Sequence, residues 1–212
     1  MHSSGIYYRD SSELIHAFLS FLNLNVTMIH TLSTERLTLG SWRDSDSKPF
    51  FEQINADSEV MEYFPSTLSR EESDALATEL QRRIDVNGWG LWAVEEKSSG
   101  QFIGFVGLNS PLVELPFTPC VEVGWRLSKA FWGKGYATEA AKKALEFAFV
   151  ELELAEVVSF TSVSNLRSQA VMTRLGLRDT GENFNHPAVP SESPLYEHVL
   201  FTITRDEWAE PL

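Results

Sequence analysis

Two glycines near the middle of the chain, Gly133 and Gly135, have the clearest potential for chemistry. Lys134 separates them, and a helix is predicted to begin near Tyr136. Closely spaced glycines let a backbone turn sharply and expose its N–H groups, and the start of the following helix adds a partial positive charge. This arrangement is typical of a site that binds phosphate or pyrophosphate. A tight turn that binds no ligand would have the same pattern.

Motifs and charge narrow the phosphate-site hypothesis. The sequence lacks the G-x-G-x-x-G fingerprint of dinucleotide-binding proteins, and a P-loop is excluded because Lys134 lies between the glycines rather than after them. Residues 122–178 contain eight Lys and Arg and six Glu, whereas the rest of the chain has a net charge of −15. The positive charge around the loop favours an anionic ligand. Solvated basic helix faces are the alternative explanation.

The overall composition limits the class of partner. A net charge of −13 over 212 residues argues against a general nucleic-acid-binding protein and is compatible with a cationic partner such as an amine. A single cysteine, Cys120, excludes an internal disulfide and favours a reducing compartment. No apolar stretch is long enough to cross a membrane, and the five histidines lack metal-ligand spacing. We therefore expect a cytoplasmic protein with no metal, no nucleic acid and no membrane partner.

The hydrophobic periodicity predicts one domain over residues 28–212, preceded by an N-terminal extension, residues 1–27, that includes a candidate short helix. Strand patterns come first and a strand–helix–strand–helix–strand run follows, which predicts a mixed α/β sheet of the α+β kind. Ser69 and Glu72 form a capping box for the second helix. The predicted strands are 34–39, 89–95, 101–108, 121–127, 157–163 and 195–204, and the predicted helices are 45–55, 69–87, 138–150 and 166–175.

The phosphate-loop segment resembles a known family. Trp132-Gly-Lys-Gly-Tyr-Ala-Thr-Glu-Ala140 is similar to the acetyl-CoA pyrophosphate loop of the GNAT superfamily of N-acetyltransferases, in particular its RimJ/RimL-like branch. Residues 34–39 resemble the opening strand of that family, and residues 100–107 its central hairpin. Residues 165–177 resemble the Asn-x-x-Ser helix beside the pantetheine arm. The similarity runs from about residue 30 to 205, which is most of the chain.

The resemblance implies a single GNAT-like domain with a central, splayed, mostly antiparallel sheet flanked by helices. Acetyl-CoA would lie between two separated strands, with its pantetheine along the strand 123–127 and its pyrophosphate at the amides of residues 133–138. Asn165 would bind the cofactor, although a helix N-cap suits this residue equally. The cofactor-binding residues implied are Trp125, Leu127, Gly133, Lys134, Gly135, Tyr136, Ala137, Thr138, Asn165 and Ser168.

The implied reaction is direct attack of a primary amine on the acetyl thioester, which needs a base and a donor to the leaving thiolate. Glu122 is the first candidate for the base because it begins the strand beside the cofactor, and a solvated edge carboxylate is the alternative. The resemblance implies Ser168 as the leaving-group donor, because it matches the position that has this role in the RimL-like branch, whereas many other members use a tyrosine where Met172 stands here. His186 and His198 are further candidates, either of which would line the acceptor pocket or act as an alternative base.

The function predicted from these residues is acetyl-CoA-dependent N-acetylation of a primary amine, either a protein N-terminus or a small molecule. Tyr63 and Phe64 are interpreted as core residues or as acceptor contacts. A non-catalytic module that binds acyl-CoA as a sensor is the alternative function, and an α/β interaction protein without a cofactor is a third. Dimers are common in the family, so a homodimer is a further expectation.

Overall fold

The computed structural model describes residues 28–209, so the N-terminal extension and its candidate helix lie outside the described residues. The strands are β1 (Leu32–Ser33), β2 (Leu37–Gly40), β3 (Leu91–Glu96), β4 (Gln101–Asn109), β5 (Glu122–Leu127), β6 (Glu156–Ser162), β7 (Arg178–Asp179), β8 (Phe184–Asn185) and β9 (Glu197–Thr204). The helices are α1 (Ser47–Phe50), α2 (Arg70–Asn87), α3 (Tyr136–Val150), α4 (Leu166–Arg174) and α5 (Arg205–Ala209), with 3₁₀ turns at Asp44–Asp46 and Lys129–Phe131 and a π turn at Phe51–Asn55.

The described strands form one sheet in the order β1-β2-β3-β4-β5-β6-β9-β7, and β8 also pairs with β9. Neighbours are antiparallel except β5 and β6, which run parallel and share a single register pair, Glu122 with Val158. A parallel pair needs a crossover connection, and α3 supplies it. The two strands separate beyond that pair, so the predicted splayed, mostly antiparallel sheet is confirmed.

Different helices cover the two faces of the sheet. On one face α3 packs through fully buried alanines, Ala140, Ala141 and Ala144, which let its backbone approach the strands closely. On the other face, side chains of α1, the π turn and α2 surround Phe105 of β4. Because strand side chains alternate, Val123 and Leu127 of β5 enter the α3-side core, and residues 122, 124 and 126 face the other way.

The helix starts follow from short-range chemistry. Ser69 caps α2 by accepting a hydrogen bond from the Glu72 amide at 3.2 Å, and the Glu72 carboxylate accepts one from the Ser69 amide at 2.7 Å. The predicted capping box is therefore confirmed. The helix ends at Gly88, which has a φ of +80° and a left-handed conformation that glycine adopts without strain.

Most long elements occur at or near their predicted places, whereas the short ones were missed. The prediction of one helix over 45–55 was wrong, because this segment divides into a 3₁₀ turn, α1 and a π turn. The alternating segment 34–39 contributes only its second half to β2. The two-residue strands β1, β7 and β8 were not predicted, and neither was α5. Two residues cannot display a period, so pairing with β2 or β9 decides their conformation rather than local pattern.

Candidate active site

A cavity of about 1040 Å³ opens where β5 and β6 separate. Its walls come from β5, β6, the loop before α3, the start of α4 and the segment 60–65. Ligand pockets of this size, at the boundary between structural elements, commonly hold a whole small molecule or cofactor. The sequence-predicted site residues line this one space, with the exception of Lys134.

The loop that leads into α3 forms one wall of the cavity. Gly133 and Gly135 have φ values of +73° and +79°, a conformation that would strain any residue with a Cβ. Gly135 is the N-cap of α3, and no side chain caps this end. No backbone hydrogen bond in the described chain uses the amides of residues 133–138. Free N–H groups at the start of a helix have the geometry that an anion-binding site needs.

Arg36, just before β2, fixes the position of this loop. Its Nε donates to Glu139 Oε2 at 2.6 Å, and its Nη1 donates to the carbonyl of Lys134 at 2.9 Å. Thr34 Oγ1 donates to the other Glu139 oxygen at 2.6 Å. The guanidinium also lies 4.5 Å from the centre of the Tyr136 ring. The opening segment and the glycine loop are therefore two parts of one structure.

The loop residues differ in how they meet the cavity. Gly133, Gly135 and residues 136–138 line it, whereas Lys134 is not among the lining residues. The Lys134 ammonium instead lies 4.7 Å from the centre of the Phe131 ring. Its side chain therefore adds positive charge beside the loop without forming part of the wall.

Trp125 and Leu127, the strand residues predicted to bind the cofactor, both line the cavity. The carbonyl of Leu127 accepts a hydrogen bond from the Trp132 indole at 2.8 Å. This bond anchors the start of the glycine loop to the end of β5. It also means that the Leu127 carbonyl already has a partner within the protein.

Asn165 and Ser168 lie together at the start of α4 and both line the cavity. The Asn165 side chain accepts from the Ser168 amide at 3.2 Å, so it is the N-cap, and its Nδ2 donates to Ser168 Oγ at 3.1 Å and to Thr161 Oγ1 at 2.9 Å. Because Ser168 Oγ accepts from the amide, its own proton stays available to a group in the cavity. The N-cap interpretation of Asn165 is confirmed, and this role does not remove it from the cavity wall.

Glu122 is half-buried at the first position of β5 and lines the cavity. Loss of hydration raises the pKa of its carboxyl group to about 7, and a hydrogen bond from Asn109 opposes this rise only in part. Its side chain leans over Gly124, since a Cβ placed on that glycine would lie 3.7 Å from Glu122 Oε1. The glycine therefore keeps the carboxyl group open to the cavity.

A short hydrogen-bond chain holds the Glu122 carboxyl group. Asn109 Nδ2 donates to Glu122 Oε2 at 3.2 Å, and Arg83 Nη1 donates to Asn109 Oδ1 at 2.9 Å. Arginine can only donate, so it fixes the orientation of the amide with its NH₂ group toward Glu122. The other oxygen, Oε1, faces Gly124 and the cavity. Sequence reasoning missed Asn109 because it comes from a neighbouring strand.

The two histidines form a pair in the cavity wall, with ring centres 4.9 Å apart. Loss of hydration lowers the pKa of His198 to about 4 and also lowers the pKa of His186. His186 Nδ1 accepts a hydrogen bond from the Ala188 amide at 3.2 Å, so its proton is on Nε2 when the ring is neutral. His198 Nδ1 lies 3.3 Å from the carbonyl of Tyr196. Both rings are therefore neutral near pH 7.

The opposite side of the cavity contains one residue that sequence reasoning overlooked, Arg126. Tyr63 and Phe64 line this side, so their position agrees with the acceptor-contact interpretation. The Arg126 guanidinium lies 3.9 Å from the centre of the Phe64 ring. The available signal was the alternation of Glu122, Gly124 and Arg126, which places all three on one face of a strand.

Comparison with known proteins agrees with this geometry. Residues 36–178 match the family described as the Acetyltransferase (GNAT) domain. The chain is 34% identical over 187 residues to FsC-acetyl coenzyme A-N(2)-transacetylase of Aspergillus fumigatus, covering 85% of this chain and 77% of that protein. A solved acetyltransferase from Agrobacterium tumefaciens is 27% identical with a TM-score of 0.64, over 82% of this chain and 94% of that one. Mycobacterium smegmatis RimJ in complex with CoA-disulfide shares the fold, at 19% identity and a TM-score of 0.66 over 82% of this chain and 84% of that one.

The chain belongs to the GNAT family of acetyltransferases, and its class is that of an acetyl-CoA-dependent N-acetyltransferase. The unengaged amides of residues 133–138 and the separated strands suit the acetyl-CoA that this family uses. In residues 28–209, no cluster of His, Cys, Asp or Glu has the grouping of a metal site. The same part of the chain has no helix that is both long and apolar enough to span a bilayer.

Proposed function

We propose that this enzyme transfers the acetyl group of acetyl-CoA directly to a primary amine, with Glu122 as the general base. The observation that carries the proposal is one continuous cavity that joins the amides of residues 133–138 to a half-buried carboxyl group with a raised pKa. Raised carboxyl pKa values in clefts are typical of groups that exchange protons during catalysis. The resemblance of residues 132–140 to the RimJ/RimL-like branch supports that subgroup.

The cofactor half of the cavity would hold acetyl-CoA, which supplies an activated acetyl thioester. The amides of residues 133–138 would bind its pyrophosphate, because they are unengaged and lie at a helix N-terminus. Trp125 and Leu127 would lie along its pantetheine arm. Asn165 and Ser168, at the start of α4, would complete this wall near the thioester.

Glu122 is suited to accept a proton from the attacking amine. With a pKa of about 7, its carboxyl group populates both protonation states at neutral pH, so it can take the proton and release it again. Its Oε2 is held by Asn109, and its Oε1 faces the cavity over Gly124. The amine nitrogen forms a bond to the acetyl carbon while its proton passes to Oε1, directly or through one water.

Ser168 would assist the departure of the thiolate. Its Oγ accepts from Asn165 Nδ2 at 3.1 Å, which leaves its O–H proton to hydrogen-bond the sulfur as negative charge develops there. The carbon–sulfur bond breaks, and the products are the amide and coenzyme A with its thiol protonated. The proton lost by the amine balances the proton gained by the sulfur.

His186 fits a binding role better than a role as the base. Its Nδ1 already accepts from the Ala188 amide, so the free Nε2 of the neutral ring carries the proton and donates. We propose that it donates a hydrogen bond to the acceptor. The pKa of its neighbour His198, at about 4, makes that ring a weak base near neutral pH.

The acceptor is an amine, as the similarity to an enzyme named for acetyl transfer to a nitrogen supports. The test is isothermal titration of the protein with acetyl-CoA, followed by detection of free thiol with a panel of primary amines. Binding with amine-dependent thiol release is expected. Binding without turnover across the panel would favour the non-catalytic sensor, and absence of binding would contradict the loop assignment.

A further inference from the structure

Arg126 is a cation without a carboxylate partner in the described part of the chain. Its Nη1 donates to Asn55 Oδ1 at 2.7 Å, and its Nε is buried with no hydrogen-bond acceptor. A guanidinium has five N–H donors, and this one engages a single neutral oxygen. Arg126 as a whole is half-buried, and a charge that is partly withdrawn from water is normally paired, because loss of hydration is costly.

The surroundings of Arg126 add no compensating charge. Asn55 is fully buried and donates its own amide to Ser73 Oγ at 2.9 Å, so it is a fixed, neutral partner. The rings of Phe64 and Phe105 lie 3.9 Å and 5.3 Å from the guanidinium carbon. Loss of hydration lowers the pKa of Arg126 to about 10, so the group stays charged at neutral pH.

A second arginine in the same cavity provides a contrast. Arg167 also lies over aromatic rings, 4.5 Å from the centre of the Trp132 ring. Unlike Arg126, it pairs with the carboxylate of Glu62 at 2.6 Å. Aromatic stacking alone therefore does not account for an arginine left unpaired. The positive charge of Arg126, in the wall of the cavity and not neutralised by a carboxylate of the described chain, is available to an anion from outside the protein.

The position of Arg126 relates that anion to the reacting amine. Arg126 lies on the same face of β5 as Glu122, with Gly124 between them, and all three line the cavity. Residues four apart in a strand are separated by about 13 Å, and the Glu122 carboxyl group leans over Gly124 toward Arg126. A molecule that spans both groups needs its amine and its anion several bonds apart.

We propose that Arg126 binds a carboxylate of the acceptor, so that the substrate is an amine that also carries a carboxylate several bonds from the nitrogen. This inference rests on the proposed function, since it places the amine beside Glu122. The Nη2 group and the second N–H of Nη1 form a planar fork that can meet a carboxylate through two parallel hydrogen bonds. Asn55 holds that fork in place from the protein side.

The first test compares matched acceptors on the unmodified enzyme. ε-Aminocaproate and its uncharged amide have the same length and the same amine and differ only in the anion. We expect kcat/KM to be about 10- to 100-fold higher for the carboxylate, as two charged hydrogen bonds imply. Equal values for the pair would overturn the proposal. Glycine, whose amine and carboxylate are adjacent, is expected to be poor, and a higher kcat/KM for glycine than for ε-aminocaproate would overturn the spacing.

A parallel arm distinguishes carboxylate from phosphate. 4-Aminobutyl phosphate, whose anion lies as many bonds from the amine as that of ε-aminocaproate, and 4-aminobutanol are compared in the same assay. A larger gain from the phosphate than from the carboxylate of ε-aminocaproate would overturn the assignment of a carboxylate. A smaller gain would support it.

The second test uses variants of the arginine. Arg126→Met should raise the KM of ε-aminocaproate by about 10- to 100-fold and leave the KM of its amide and of acetyl-CoA unchanged. Arg126→Lys, which keeps the charge but loses the fork, should have an intermediate KM. Arg178→Met is the matched control, because this exposed arginine of β7 pairs with Glu207 and does not line the cavity.

The outcomes separate this inference from the proposed function. If both acceptors are acetylated equally and Arg126→Met changes neither, the enzyme is an amine acetyltransferase and the anion site is wrong. If acetyl-CoA does not bind at all, the proposed function itself fails. The acceptor comparison needs no variant, so a failure of Arg126→Met to fold leaves the proposal testable.

Discussion

Two walls of the same cavity are built by opposite means. The loop wall, residues 133–138, offers backbone amides that lie next to one another in the sequence. The β5 wall, made of Glu122, Gly124 and Arg126 with Phe64, offers side chains that depend on partners from distant elements. The loop wall is suited to a negatively charged ligand because of its local backbone geometry. The functional groups of the β5 wall depend instead on packing between residues that are distant in the sequence.

The largest effect is expected from Gly135→Pro in the loop wall. Proline cannot adopt a φ of +79° and has no N–H, so binding of acetyl-CoA should fall below detection in a calorimetric titration. Gly100→Pro is the matched control, because Gly100 has a φ of +65° in the β3–β4 turn and its amide bonds the Glu96 carbonyl. If both variants lose affinity equally, destabilisation rather than the loop amides explains the loss.

The next effect is expected from Glu122→Gln in the β5 wall. Turnover should fall by about 100- to 1,000-fold with acetyl-CoA affinity unchanged, since a general base contributes that much. The kcat/KM of the unmodified enzyme should rise as pH increases through about 7, where the carboxyl group loses its proton. This step should be absent in the variant, while Glu146→Gln, an exposed position on α3, should keep it.

The stability of Glu122→Gln provides a check on the same group. Burial raises the pKa of Glu122 above its unfolded value, so at any pH above that unfolded value the ionisable side chain costs stability relative to a neutral one. The glutamine variant should therefore melt at the same temperature or higher. A lower melting temperature would indicate that the carboxylate is a structural partner rather than a catalytic group.

A smaller effect is expected from Arg36→Met, which removes the side chain that holds the loop wall in position. The Arg36 side chain would no longer donate to Glu139 and to the Lys134 carbonyl, so acetyl-CoA affinity should fall by about 10-fold through reduced preorganisation of the loop. Arg43→Met removes a similar surface ion pair with Glu95 outside the cavity and should leave the affinity unchanged. An equal loss of acetyl-CoA affinity in both variants would contradict the role of Arg36 in positioning the loop.

The smallest effect is a shift in a pH profile. Asn109→Leu deletes the hydrogen bond that lowers the pKa of Glu122, so the midpoint of kcat/KM against pH should move upward by up to about one unit. The rate at high pH should change little, because the carboxylate itself is retained. A lower plateau with an unmoved midpoint would mean that Asn109 only supports the fold.

The sequence predicted the loop wall well and the β5 wall only in part. The sharp turn at Gly133 and Gly135 could be predicted because positive φ angles favour glycine, which is a local property of the sequence. Glu122 was predicted from its place at the start of a strand. Its raised pKa was not, because that depends on burial. In the sequence, Arg126 was only one of several basic residues. Its lack of a carboxylate partner could not be predicted, because its neighbours, such as Asn55 71 residues away, come from distant parts of the chain.

The fold shows the same contrast between local and distant causes. The Ser69 capping box and the long amphipathic patterns are short-range, so they were predicted correctly. The pairing of β7 and β8 with β9 arises only when distant segments meet. The role of Glu139 was hidden for the same reason, because its partners Thr34 and Arg36 precede it by more than a hundred residues.

The separation of β5 and β6 has a mechanical consequence. These strands meet at one register pair, so the block β1–β5 and the block of β6 and β9 are connected through that pair, through α3, and through Leu115 and Phe117 of the loop before β5. A ligand that touches both strands acts as a strut between the blocks, and part of its binding energy holds them at a fixed spacing. Amide hydrogen exchange in β9 should therefore slow when coenzyme A binds, although β9 lies beyond β6 in the sheet.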